Sequence, residues 1–221
     1  MSIYFGNQKV SPLIVVPDNK MAKMASGELT EITEEDLSSI DRLRPYAFAG
    51  NSALEKITIP ANITRYIGER CFVNSAIKNI IVKSNCNIPD YFCPQCSNLA
   101  NIIFSDEITL IGQGAFESCP KLTTIKLPDN LQYIRTYAFR ATKLNNFVIP
   151  SKVLSIGSQS FRSIGQNRTI TLLPTTPPTI QSDTFDEITF EKIIVPKGTA
   201  ETYKAATNWS SFADYIVEAD E

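Results

Sequence analysis

Five cysteines, a short run of carboxylates and a complete absence of histidine define the chemistry open to this 221-residue chain. Cys93-Pro94-Gln95-Cys96 has the spacing of a dithiol redox pair or of half a zinc site. A zinc site needs a second such pair or histidines, and a thioredoxin-type dithiol opens a helix after a strand. Neither context surrounds Cys93. Without histidine, Ser-His-Asp and Cys-His catalysis, histidine-ligated metals and the usual general base near neutral pH are excluded. What remains is a carboxylate pair, a lysine nucleophile or a bare thiol. Carboxylates cluster at Glu34-Glu35-Asp36, but at a predicted helix start, where Thr33 can cap and acidic side chains meet the positive end of the helix dipole. The nine glycines form no phosphate-cradling pattern. The chain therefore reads as non-enzymatic, with no cofactor and no metal.

The elements around these residues are set by a repeat. Phenylalanine recurs at Phe48, Phe72, Phe92, Phe116, Phe139, Phe161 and Phe185, at intervals of 24, 20, 24, 23, 22 and 24 residues. A unit near 23 residues is too small to enclose a core, so each must bury its apolar side against the next. An isoleucine precedes most of these rings by five residues (Ile67, Ile111, Ile134, Ile156, Ile180), and a compact residue directly precedes several (Ala47, Cys71, Ala115, Ala138, Ser160). Eight to ten residues after each Phe comes an alternating apolar pair: Ile57/Ile59, Ile80/Val82, Ile102/Phe104, Ile125/Leu127, Phe147/Ile149, Ile170/Leu172 and Ile193/Val195. Alternation of this kind predicts a strand with one buried face. Pro60, Pro128, Pro150 and Pro196 close four of the pairs, since proline has no amide hydrogen for a ladder. One short strand per unit, all in one direction, predicts a parallel ladder rising about 4.8 Å per step, with the Phe and Ile residues as internal columns behind it.

These anchors resemble the unit of the BspA-like leucine-rich repeats of bacterial and some protozoan surface proteins, roughly L-x-x-I-x-I-P followed by I-x-x-x-A-F-x-x-C. Leu122 to Pro128 with Ile134 and Ala138-Phe139 carries the match, as does Leu54 to Pro60 with Ile67 and Cys71-Phe72, and the similarity covers about residues 43–196. The resemblance implies a leucine-rich-repeat solenoid, a right-handed β/α superhelix with short parallel strands, little regular helix and a cap at each end. The family uses its scaffold for adhesion and partner binding of many kinds. It also places cysteine three or four residues after the Phe as a small buried apolar residue, which fits Cys96 and Cys119, while Cys71 takes the slot before a Phe. Buried thiols are the expectation for these positions, with a Cys93–Cys96 disulfide or a metal as the alternatives. Two units depart from the pattern. The one at Tyr91-Phe92 lacks the small residue and the Ile, and Phe161 is followed by the polar Gly165-Gln166-Asn167-Arg168, where the register is expected to bulge.

Four segments follow: an extension over 1–25 with a short strand at Leu13-Ile14-Val15-Val16, a cap over 26–45 with a helix near 34–43, an array of about seven units over 46–196, and a capping helix with an aromatic plug over 197–221. In the last, Ala200, Tyr203 and Ala206 fall on one helical face ahead of Trp209 and Phe212. Four consecutive apolar residues between Pro12 and Pro17 make neither a membrane span nor a signal peptide. A net charge of −2 with interspersed Lys and Glu excludes the clustered basic face that nucleic acid requires.

Inward apolar pairs put their neighbours outward, in two rows. One is Lys56, Asn79, Asn101, Thr124, Asn146, Thr169 and Lys192, and the other is Thr58, Ile81, Ile103, Lys126, Val148, Thr171 and Ile194. β-branched residues and asparagines favour ladders wherever they point, yet a polar row beside a partly apolar one is also what a protein-binding face looks like. The candidate contact residues are Lys56, Thr58, Asn79, Ile81, Asn101, Ile103, Thr124, Lys126, Asn146 and Val148, centred on Asn79, Ile81, Asn101 and Ile103. The expected partner is a host or neighbouring-cell protein gripped by a recognition or adhesion module. The alternative is a structural or receptor-contacting part of a phage or prophage particle, since Ile3 to Pro12 resembles the leaders of some phage-encoded minor structural proteins. If Met1 is the native start, a cytoplasmic or virion-associated setting is expected, and otherwise an extracellular or cell-surface one. Sequons at Asn62, Asn167 and Asn208 mark positions expected to be exposed.

Overall fold

Alternating apolar pairs interrupted by proline and turn residues can make only short strands, and the strands here run from two to six residues. The computed structural model describes residues 3–5, 8–10 and 29–220. It is a parallel-strand solenoid of about eight turns with little helix. One ladder, the first, is built from Glu31–Ile32, Lys56–Ile59, Asn79–Val82 and Asn101–Ile103, and then from Phe147–Ile149, Arg168–Leu172, Phe190–Val195 and Ile216–Glu218. A second ladder carries the isoleucine that precedes each Phe. It pairs Arg42–Leu43 with Tyr66–Ile67, and joins Leu110–Ile111, Tyr133–Ile134, Ser155–Ile156 and Thr179–Ile180.

The register stacks like on like, with Ile57 beside Ile80 beside Ile102, and Phe147 beside Ile170 beside Ile193 beside Ile216. A one-residue slip would turn every inward side chain outward, so burial of one face fixes this alignment. The predicted irregularity after Phe161 is present as a register shift between Arg168 and Thr169.

All seven repeat phenylalanines are buried and form one column. Successive ring centroids lie 5.2, 5.1, 5.9, 5.5, 5.4 and 5.7 Å apart from Phe48 to Phe185. Several of the rings sit on tight turns whose flanks adopt left-handed backbone without being glycine. Arg70 and Asn74 flank Phe72, Tyr137 and Ala141 flank Phe139, and Gln159 and Ser163 flank Phe161, with φ between 51° and 61°. These turns are held by the next coil: the N–H groups of Phe116, Phe139 and Phe161 donate to the carbonyls of Ala138, Ser160 and Thr184 at 2.8, 2.8 and 3.1 Å.

The slot before each Phe is tight. Ala115, Ala138, Ser160 and Thr184 fill it in successive coils, all fully buried. Thr184 satisfies its hydroxyl by donating to the Gly157 carbonyl at 3.1 Å, whereas the Ser160 hydroxyl has no partner. A buried hydroxyl without a bond costs about 1–3 kcal/mol. Ser160→Ala, which copies Ala138 one coil earlier, is therefore expected to stabilise the protein by about 1 kcal/mol in a urea titration; a loss of stability would show that the hydroxyl is satisfied.

Three local expectations change. The cap helix near 34–43 is a single 3-10 turn, Glu35–Leu37. Thr33 does not cap it: its N–H and hydroxyl donate to the buried Asp36 carboxylate at 2.9 and 3.0 Å, so the acid reaches back to the turn's entrance. Leu122 to Pro128, the segment closest to the repeat pattern, forms no strand. Its alternation is intact, but a strand also needs neighbours at ladder distance, which local pattern does not encode. Leu13–Val16 lies outside the described residues, while Ile3–Phe5 and Gln8–Val10 pair as an antiparallel hairpin.

At the far end Ala200–Ala205 is helical and Trp209–Tyr215 forms a 3-10 run. Tyr203 and Trp209 are fully buried, with the Tyr203 hydroxyl donating to the Pro174 carbonyl at 2.7 Å and the Trp209 indole N–H to the Pro178 carbonyl at 2.8 Å. Burial of the Tyr203 phenol pushes its pKa up.

Candidate functional site

The first ladder turns its outward rows to one side of the wall, and the register sets their order. Lys56 stands beside Asn79 and Asn79 beside Asn101, while Thr58 stands beside Ile81 and Ile81 beside Ile103. Together with Thr124, Lys126 and Asn146, these residues other than Thr58 line a shallow groove of about 440 Å³. Eight of the ten candidates thus meet in one depression. Val148 is exposed but lies outside the groove lining. Thr58 is only 8% exposed and is absent from the groove lining, in contrast to the outward position expected of it.

The groove is partly apolar and electrically balanced. Lys56 Nζ lies 2.8 Å from Glu31, and Lys126 Nζ lies 3.6 and 3.7 Å from Asp106 and Asp129. Asn101 Nδ2 donates to Asn79 Oδ1 at 2.8 Å, so the two amides form a small ladder on the face. Ile103, at 59% exposure, is the most exposed large apolar side chain among the described residues. An uncovered isoleucine beside a hydrogen-bonded asparagine pair is a surface that loses little on desolvation, because its polar groups already satisfy one another in part.

The cysteines of the repeat are chiefly core residues. Cys71, Cys93, Cys96 and Cys119 are buried free thiols, and Cys86 is free and partly buried. Cys96 donates to the Phe72 carbonyl at 2.9 Å and Cys119 to the Cys93 carbonyl at 3.1 Å, so these thiols serve as small core residues with a weak donor. Burial pushes Cys71 up, and burial followed by hydrogen bonding to Cys119 and Cys96 does the same for Cys93, so neither is a ready nucleophile. Asn62 and Asn167 are exposed as expected. Asn208 is not: it is half-buried and donates to the Ile180 carbonyl at 2.7 Å, locking the terminal plug to the last coil.

The parallel ladders, the Phe column and the groove define a leucine-rich-repeat solenoid that presents a sheet face. The BspA type leucine rich repeat region model matches in six copies over residues 20–91 and 86–212, and the chain belongs to that family. It is similar to a solved leucine-rich repeat protein from Bacteroides ovatus, at 20% identity over 78% of this chain and 56% of that one, with a TM-score of 0.45. It is also similar to a leucine rich cell surface protein from Faecalibacterium prausnitzii, at 14% identity over 82% of this chain and 84% of that one, with a TM-score of 0.40. The chain spans 56% of the length of the Bacteroides ovatus protein. No curated protein matches. Among the described residues no helix is long and apolar enough to cross a membrane.

Proposed function

We propose that this protein is a non-enzymatic binding or adhesion module that grips a protein partner with the outer face of its first ladder, at a bacterial cell surface. The family supports a repeat module of the protein-interaction type. The observation that carries the reading is the groove, in which eight residues from five coils converge, with the exposed Ile103 and the Asn79–Asn101 pair among them. The eight groove residues all lie within the array over residues 46–196. The cell-surface setting is what resemblance to the BspA-like proteins implies.

The test is capture of a partner from host-cell or environmental extract by the intact array and by the double variant Ile103→Asp with Asn101→Asp. Two carboxylates at the centre of a desolvated contact should weaken binding by at least about thirtyfold. Both substitutions are on exposed positions, so the melting temperature should hold. A partner that the double variant captures equally well would remove the sheet face as the binding surface.

A further inference from the structure

The groove contains main-chain groups that the rest of the wall does not leave open. The first ladder is bonded continuously from Glu31–Ile32 to Asn101–Ile103, and again from Phe147–Ile149 to Ile216–Glu218. Between the two halves, Lys143 and Asn145 donate to the Leu122 and Thr123 carbonyls at 3.1 and 2.9 Å. Beyond that point, among the described residues, no main-chain or side-chain hydrogen bond reaches the N–H or C=O groups of Thr124, Ile125, Lys126 or Leu127. The equivalent amides of earlier coils are all bonded: Lys56 to Thr30, Asn79 to Glu55 and Asn101 to Lys78, at 3.0, 3.0 and 3.1 Å. Backbone donors and acceptors are rarely left without partners, so open groups here call for water or a ligand.

A break in a ladder need not stay open. The second ladder also has a gap, between Tyr66–Ile67 and Leu110–Ile111, and on its Leu110 side it is closed from within the chain. There Asn87 Oδ1 accepts from the Thr109 N–H, the Thr109 hydroxyl and the Leu110 N–H at 3.0, 3.2 and 3.0 Å. The break in the first ladder has asparagines on both sides, Asn101 and Asn146, but Thr124 at the gap itself. The Asn79–Asn101 amide ladder therefore stops one step short, and Asn101 Oδ1 accepts no hydrogen bond.

We propose that this break is the docking point for an uncharged carboxamide, the side chain of a glutamine or asparagine on an extended segment of the protein partner. The proposal rests on the sheet-face reading above and names what that face recognises. One carboxamide supplies an acceptor for a free N–H of Thr124 to Lys126 and two donors, for Asn101 Oδ1 and a free carbonyl of the same coil. It thereby continues the amide ladder across the position that Thr124 leaves unfilled. A charged head is disfavoured, because both groove lysines already have carboxylate partners. A sugar is disfavoured because no aromatic ring lines the groove to stack against it. Ile81 and Ile103 suit aliphatic neighbours of the carboxamide on the partner strand.

The experiment is a titration of the isotope-labelled protein, followed by amide NMR, with three probes: the N-acetyl methylamides of glutamine, glutamate and leucine. The glutamine probe should shift the amides of Thr124, Ile125 and Lys126 saturably, at least tenfold more tightly than the other two, and Asn101→Leu should weaken that binding at least fivefold. Equal response to all three probes, silence from the glutamine probe, or a shift of the same amides by methyl glucoside instead would overturn the proposal. Native-state hydrogen exchange checks the break directly: the amides of Ile125 and Lys126 should exchange faster than those of Ile80 and Ile170, and equal protection would mean that the ladder is closed. A silent titration together with loss of the captured partner in the Ile103→Asp, Asn101→Asp array removes the carboxamide and keeps the sheet face. Unchanged capture by that array removes both.

Discussion

Phe139→Ala should destabilise the protein by about 3–5 kcal/mol, the usual cost of deleting a fully buried ring and leaving its cavity. Phe139 has no exposed surface and stacks on Phe116 and Phe161, with centroids 5.5 and 5.4 Å away and interplanar angles of 14° and 13°. Two ring contacts are lost at once, each worth about 0.5–1.5 kcal/mol beyond area burial. Collapse around the hole is hindered because both neighbours are fixed in turns bonded to the coils on either side, as in the Phe139 N–H to Ser160 carbonyl bond at 2.8 Å. The position is near the middle of the array, where each coil touches only its neighbours, so the damage should also divide the cooperative unit. A urea transition followed by circular dichroism should become biphasic, with the halves on either side of Phe139 melting apart. A single transition displaced by less than about 1 kcal/mol would mean that this ring does not belong to a shared column.

Trp209→Ala should cost a similar amount, about 3–5 kcal/mol, but only at one end. The indole is fully buried against Phe185 and Tyr203, with centroids at 5.8 and 5.4 Å, and its N–H satisfies the Pro178 carbonyl at 2.8 Å. Removing it exposes the last Phe of the column and leaves that carbonyl without its donor. Trp209→Phe would restore much of the packing but not the hydrogen bond, and should retain a deficit of about 1–3 kcal/mol. Hydrogen exchange distinguishes a lid from a general core residue. Protection should fall at Ile193–Val195 and stay intact at Ile80–Val82; loss at both would mean that Trp209 is not confined to sealing the end.

The solenoid was readable from sequence because its signals repeat. Any one Ile-x-x-x-Ala-Phe is ambiguous, but seven phenylalanines at intervals of 20–24 residues leave stacking as the only way to bury them all. The outward rows follow from alternation alone, and eight of their predicted contact residues share the groove. What sequence missed depends on distances between coils. Ile125 and Leu127 alternate as well as Ile80 and Val82 do, yet Ile80 gains ladder partners on both sides and Val82 on one, while Ile125 and Leu127 gain none. The bonding of Asn87 to the next coil has a signal in hindsight: it stands where the usual Ile would be before Phe92, and its side-chain acceptor takes the place of a main-chain one. Thr58 and the shortened cap helix have no such signal. Thr58 matches its row in type but is buried, and the helix stops after one 3-10 turn although Asp36 makes the reach-back contact to the Thr33 N–H that suits a helix start.

The left-handed residues on either side of Phe72, Phe139 and Phe161 have a bearing on how the chain assembles. An L-residue held in that conformation costs about 1–2 kcal/mol, so a turn with two of them carries roughly twice that before any neighbour arrives. A lone coil cannot hold itself together against such a penalty, whereas one laid on a finished coil gains its bonds as it forms. Assembly should therefore proceed by templating, with a rare nucleus of adjacent coils followed by rapid addition of the rest, each finished turn acting as the mould for the one that follows.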